Sequence, residues 1–155
     1  MLAVAQSSLI FERAPIHIES PPRNDKIKNQ KPPHVSLLYD VEVRPEDALR
    51  LEYIHALNTL TDESGVMINL ESPSIIALPA MKVYTAVDVL FIDEMGIVLQ
   101  IMPKITLAEM TQTLQSRLPI KAMLFLKAGE TALRGIHPQD SVVGNMFATA
   151  PAMQE

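Results

Sequence analysis

The sequence contains no cysteine among its 155 residues. This absence excludes disulfide bonds, catalytic thiols and cysteine-ligated zinc, although it does not distinguish a reducing from an oxidising compartment. No stretch reaches the eighteen or so consecutive apolar residues that a membrane-spanning helix needs. Only five glycines occur, and no phosphate-cradling glycine loop is found, so we expect no nucleotide cofactor. The serine-nucleophile patterns Gly-x-Ser-x-Gly and Ser-x-x-Lys are missing as well.

Metal-binding patterns are equally scarce. The four histidines stand at positions 17, 34, 55 and 137. No two of them have the spacing that would present both rings to one metal ion from a helix or a hairpin. The sequence therefore predicts no metal site, and a structural role for each histidine.

Charge is distributed unevenly along the chain. Residues 1–34 carry five Lys or Arg against three acids, whereas residues 35–155 carry eight against fifteen. Binding to a phosphate backbone depends on clustered basic residues, so we expect no nucleic-acid partner for the acidic part. The start, Met1–Ala5, lacks a basic n-region and is too short for a complete signal peptide, although Ala3-Val4-Ala5 resembles the end of one. The compartment stays undetermined.

The length suits one domain with a core of its own. Residues 1–34 contain five prolines and a polar stretch without hydrophobic period, which predicts an extended or disordered tail. We expect a single globular domain over residues 35–146 and a C-terminal tail over residues 147–155.

Hydrophobic periodicity and turn signals predict a mixed set of elements within this domain. Runs of strand-forming residues predict strands at 35–43, 66–70, 74–78, 121–126 and 141–145, and a central hairpin that turns at Asp93–Gly96. Pro45 stands at the first position of a predicted helix of about three turns that ends near Asn58. The capping box of Thr106 and Glu109 predicts a helix over 105–118. A short helix or turn over 128–134 would end at Gly135. The sum is an α+β domain with a mostly antiparallel, barrel-like curled sheet and two or three short helices.

Three segments, in matching order, resemble domain-of-unknown-function family 192, a group of small bacterial and archaeal domains. The first segment is Pro45-Glu46 with Glu63–Met67. The second is Met81-Lys82 with the Asp88–Asp93 run, whose interior is apolar, and Gly96. The third is the ending, Leu124–Val143. The resemblance covers roughly residues 35–145 and implies a compact, mostly β fold, in a family where many members carry export signals. Val83 stands where the family usually has Asn, which puts in doubt any polar site built around that segment. The family has no agreed activity.

Lys82 and Asp88 are the charged residues that the sequence singles out, because both flank or interrupt apolar strand residues. If they share a cavity, Lys82 could hold an anionic group while Asp88 orients it or acts as a base, with Tyr84 and Thr85 lining the same site. The structural alternative is a salt bridge, or an aspartate that braces the start of the strand through hydrogen bonds.

These observations favour a non-enzymatic module that binds a small ligand or a protein partner near Lys82, Tyr84, Thr85 and Asp88, without a cofactor. The alternative is an enzyme with Asp88 as general base and Lys82 as an electrostatic clamp on an anionic substrate. A third hypothesis makes the predicted Thr106–Leu118 helix a surface for self-association.

Overall fold

The computed structural model describes residues 12–20 and 36–147. Strands dominate this part of the chain. Within these two ranges a single short α-helix, α1, spans Glu130–Arg134, and three 3-10 turns span Glu46–Arg50, His55–Asn58 and Leu107–Glu109. The seven strands are β1 Arg13–Glu19, β2 Ser36–Pro45, β3 Ser64–Ser74, β4 Val87–Ile92, β5 Val98–Ile105, β6 Ile120–Lys127 and β7 Ser141–Val143.

All seven strands belong to one sheet in the order β5-β4-β6-β3-β2-β1-β7. Every neighbouring pair is antiparallel except β2 and β3, which run parallel and are joined by a crossover that carries two of the 3-10 turns. The sheet curls so that its two edges meet at one corner, where the Val142 amide donates to the Gly96 carbonyl over 2.6 Å. The architecture is a half-barrel, which agrees with the predicted curled, mostly antiparallel sheet but contains less helix than predicted.

The central strands are buried on both faces, because the curled sheet separates two apolar clusters. All six residues of β4 are buried. Its alternate residues Val87, Val89 and Phe91 belong to the cluster under the crossover, whereas Leu90 and Ile92 belong to the cluster inside the half-barrel. This explains why the sequence shows a continuous apolar run here rather than an alternating one.

The predicted hairpin between β4 and β5 is present. The Gly96 amide donates to the Asp93 carbonyl over 3.0 Å, and the Asp93 carboxylate accepts the amides of Met95 and Ile97, each at 2.9 Å. Gly96 has a φ of 90°, a conformation that favours glycine. The turn chemistry read from the sequence is therefore confirmed.

The predicted helix after Pro45 is wrong. Two 3-10 turns stand in its place, and Leu51 between them is extended, with φ −79° and ψ 146°. The buried residues of this segment are Ala48, Ile54 and Leu57, whose spacing does not follow one face of an α-helix. The segment buries the side chains that fit the sheet below it, and this packing outweighs the local helical pattern.

The predicted helix over 105–118 is also wrong. β5 continues to Ile105, Thr106 makes no side-chain cap, and only Leu107–Glu109 forms a 3-10 turn. Farther on, the Leu78 amide donates to the Leu114 carbonyl over 2.7 Å, and the Ser116 amide donates to the Ile76 carbonyl over 2.9 Å. Extended pairing with residues 76–78 replaces the helix, so no Thr106–Leu118 helical surface exists for self-association.

Two further predictions concern the ends of the domain. The structure differs from the predicted tail at Arg13–Glu19, which forms β1 between β2 and β7. Residues 1–11, 21–35 and 148–155 lie outside the described residues, and so do the predictions made for them. The short helix ending at Gly135 is confirmed: Gly135 has a φ of 71°, and the Ile136 amide donates to the Thr131 carbonyl over 2.9 Å.

Candidate functional site

Lys82 lies on the surface that covers the sheet, not inside the half-barrel. Its ammonium forms an ion pair with Glu52, with 3.0 Å between Nζ and Oε1, and its backbone amide donates to the Glu52 carbonyl over 2.7 Å. The side chain is 71% exposed. The hydrogen bond that the Lys82 ammonium donates to Glu52, helped by the charge of that carboxylate, raises the pKa of Lys82. Lys82 is therefore fixed at its backbone and accessible at its charged end.

Tyr84 and Lys82 line one surface pocket of about 220 Å³. Tyr84 is 71% exposed, and Thr85 beside it is also exposed. The pocket is completed by Glu52 and by the small or apolar residues Ala80, Met81 and Ala108. We call the group of Glu52, Lys82 and Tyr84 with this pocket the Lys82–Tyr84 surface.

Asp88 lies elsewhere, in the interior at the start of β4, and it is completely buried. One carboxylate oxygen, Oδ1, accepts the backbone amides of Lys104 at 2.9 Å and Gly129 at 3.1 Å. The other, Oδ2, accepts the Thr131 amide at 2.9 Å and the Thr131 hydroxyl at 2.8 Å. Four donors from two segments therefore converge on one carboxylate, which joins β5 to the start of α1.

The structure thus brings Lys82 and Tyr84 together, with Thr85 next to Tyr84, but it leaves Asp88 apart from them. Lys82 pairs with Glu52, while the oxygens of Asp88 are occupied by hydrogen-bond donors. A carboxylate held in this way has the geometry of an anchor for backbone amides. This arrangement matches the structural alternative in which an aspartate braces the start of its strand.

A second buried polar cluster escaped the sequence analysis. The Tyr39 hydroxyl donates to Glu130 Oε2 over 2.8 Å, and Arg134 Nε lies 3.4 Å from the same oxygen. Glu130 is only 2% exposed. Burial first, and then the hydrogen bond and charge of Glu130, raise the pKa of Tyr39. Nothing in the sequence pairs these residues, because Tyr39 and Glu130 are 91 positions apart.

Neither a metal-binding cluster nor a membrane-spanning helix is found in residues 12–20 and 36–147. No group of three or more His, Asp or Glu residues there has an arrangement that could hold a metal ion. None of the helices in that part is long and apolar enough to span a membrane.

The family model of the uncharacterised ACR proteins, domain-of-unknown-function family 192, matches residues 28–144. The chain belongs to this family. The resemblance carried by the Met81-Lys82 segment, the Asp88–Asp93 run and the Leu124–Val143 ending is therefore confirmed. No curated protein matches this family 192 chain.

Two solved structures share the fold of this family 192 chain. One, from Sinorhizobium meliloti 1021, is described as a proposed transcription regulator; it superposes with a TM-score of 0.70 at 18% identity, over 86% of this chain and 95% of that one. The other, a protein of unknown function from Novosphingobium aromaticivorans DSM 12444, gives a TM-score of 0.65 at 18% identity, over 83% of each chain. At this identity the similarity establishes the fold alone.

Proposed function

We propose that the chain is a non-enzymatic binding module whose Lys82–Tyr84 surface binds a segment of a protein partner. The observation that carries the proposal is the position of Tyr84, a large aromatic side chain that is 71% exposed at the rim of a pocket. Tyrosine is enriched in the central contacts of protein interfaces, because it combines a large apolar ring with a hydroxyl.

The surroundings of Tyr84 support the same function. Leu51 and Tyr53, the neighbours of Glu52 in the chain, are 42% and 43% exposed. The Lys82–Glu52 ion pair is exposed at both ends, so it contributes little to folding and can exchange its charges with those of a partner. The Lys82–Tyr84 surface thus offers an exposed tyrosine and one charge of each sign, next to a chain segment that exposes two more large apolar side chains.

The size of the pocket favours a protein partner over a free small ligand. Its volume is about 220 Å³, below the roughly 300–1,000 Å³ that small-molecule sites usually have. One inserted side chain of a partner would fill it. The enzyme alternative receives no such support, because it requires Asp88 and Lys82 to face one reacting group, and Asp88 is buried against backbone amides.

Site-specific photo-crosslinking in cells tests the proposal. A photo-reactive phenylalanine analogue replaces Tyr84 in one variant and Leu133 in a control variant. Leu133 is a matched control because it is 78% exposed and lies on α1, outside the Lys82–Tyr84 surface. We expect a discrete crosslinked protein from position 84 that position 133 does not give, and we expect Lys82→Glu to weaken it. The same products from both positions, or none from position 84, would contradict the proposal.

A further inference from the structure

A second pocket is lined by residues that precede and follow Leu107 and Ala108, and it has a different character. Its volume is about 360 Å³, which falls in the range of small-molecule sites. Three of its lining residues, Ile105, Met110 and Leu114, are partly buried against the core under the crossover. The pocket therefore has an apolar wall continuous with the core of the domain.

Lys104 also lines this pocket, and its backbone is unusual. Val87 pairs with Ile105 and Val89 with Met102, so that Pro103 and Lys104 together stand opposite Asp88 in a β-bulge. Lys104 has a φ of 54°, in the left-handed region that few residues other than glycine adopt. Bulges of this kind redirect a side chain and occur often beside functional sites.

Asp88 holds the bulge in place. Its Oδ1 accepts the Lys104 amide at 2.9 Å, and the same oxygen accepts the Gly129 amide. Asp88 is thus a positioning residue for Lys104, since the buried carboxylate fixes the backbone from which that side chain projects. The aspartate that the sequence singled out is connected to a pocket, although not to the one it was predicted to line.

The charges around this pocket are not neutralised by each other. In residues 12–20 and 36–147, neither the Lys104 ammonium nor the Glu109 carboxylate takes part in an ion pair. Both residues line the pocket, together with the hydroxyl-bearing Thr106 and Thr111. A ligand with a strong negative charge alone would be repelled by Glu109, and a simple cation would be repelled by Lys104.

We infer that the Lys104 pocket binds a small zwitterion with an aliphatic body, such as an α-amino acid. Lys104 binds the carboxylate, Glu109 binds the ammonium group, and the wall of Ile105, Met110 and Leu114 contacts the aliphatic chain. The site is independent of the Lys82–Tyr84 surface, because the two pockets share no lining residue.

The test uses three probes of similar shape: leucine, isocaproate, which lacks the amine, and isoamylamine, which lacks the carboxylate. Titration followed by backbone amide NMR should show shift changes at Thr106 and Met110 with leucine, and weaker binding of the other two. We expect a Kd for leucine at least about tenfold lower than for either analogue, because each analogue lacks one of the two charged groups. Equal affinity for isocaproate, or no shift change with leucine up to its solubility limit, would overturn the assignment.

Single substitutions test the contributions of Lys104 and Glu109 separately. Lys104→Asn removes the ammonium, and asparagine tolerates the left-handed backbone that this position requires. We expect it to weaken leucine and isocaproate binding about tenfold without weakening isoamylamine binding, because the repulsion of that cation by Lys104 is removed. Glu109→Gln should weaken leucine and isoamylamine binding without weakening isocaproate binding. Lys127→Gln and Glu94→Gln are matched controls, since both residues are exposed and outside the pocket. Unchanged leucine binding by Lys104→Asn would refute the role of Lys104.

Discussion

Replacement of Asp88 by alanine provides the sharpest test of its role as an anchor. The substitution removes the acceptor of four hydrogen bonds, of which three come from backbone amides and one from the Thr131 hydroxyl. Because Asp88 has no solvent exposure, the amides of Lys104, Gly129 and Thr131 would have to find water or remain without an acceptor. Each such group is costly in the interior of a protein.

The magnitude follows from these four bonds. A hydrogen bond to a charged group contributes about 1.5–3 kcal/mol, but bonds that share one carboxylate are not additive, and single substitutions rarely exceed about 5 kcal/mol. We therefore expect Asp88→Ala to lower the free energy of unfolding by about 3–5 kcal/mol. With a urea dependence of about 2 kcal/mol per molar, the unfolding midpoint would fall by roughly 2 M. Asp88→Asn keeps one acceptor oxygen and should lose about half as much.

Urea unfolding monitored by circular dichroism measures these changes. Asp40→Asn is the matched control, because Asp40 also forms a hydrogen bond, to Arg13 Nε, but its side chain is 60% exposed. We expect the control to change the unfolding free energy by less than about 1 kcal/mol. If Asp88→Ala unfolded within about 1 kcal/mol of the wild type, Asp88 would not be an anchor, and the enzyme alternative would have to be considered again.

Three other predictions concern single positions. Gly96→Ala should destabilise the protein by about 2–4 kcal/mol in thermal unfolding, because its Cβ would lie 2.4 Å from the Val142 carbonyl oxygen. Gly135→Ala, also at positive φ but with no atom within 4 Å of the added Cβ, should lose only about 1–2 kcal/mol. Equal losses of stability in the two variants would refute the steric reason. Tyr39 has a raised pKa and an ordinary value of 10.0, so the folded state retains the proton that the unfolded state loses. The stability difference between wild type and Tyr39→Phe should therefore be constant below pH 9 and shrink above pH 10 by up to about 1.4 kcal/mol per pH unit; a difference that stays constant to pH 11.5 would contradict this. Lys82→Ala should leave the urea midpoint unchanged within the error of the measurement, since its ion pair with Glu52 is exposed, and a clear loss of stability would mean that this ion pair stabilises the fold.

The parts of the fold that could be predicted from the sequence are those determined by local chemistry. The Asp93–Gly96 turn and the helix end at Gly135 each depend on residues within five positions of one another. The capping pattern at Thr106 is equally local, yet it failed, because residues 114–116 form hydrogen bonds with residues 76–78. A local preference worth about 1 kcal/mol yields to such pairing and to burial of Leu114.

The candidate site was predictable in part and for the same reason. The exposed residues Lys82 and Tyr84 alternate with the buried residues Met81 and Val83. The sequence shows the same alternation of polar and apolar side chains. The partners of Asp88 lie 16 to 43 positions away, and only the folded sheet brings them together. Sequence identified the residue as special but could not assign its role, since a buried aspartate is compatible with catalysis and with anchoring.

The bulge opposite Asp88 has a consequence for the behaviour of the protein in a crowded solution. β5 is an outer strand of the sheet, and a long, flat strand in that position would be a template for another chain to add to, the first step toward aggregation. Pro103 offers no amide hydrogen, and Lys104 interrupts the regular ladder with a charged side chain. The same irregularity that shapes a pocket therefore protects the rim of the sheet from unwanted intermolecular pairing.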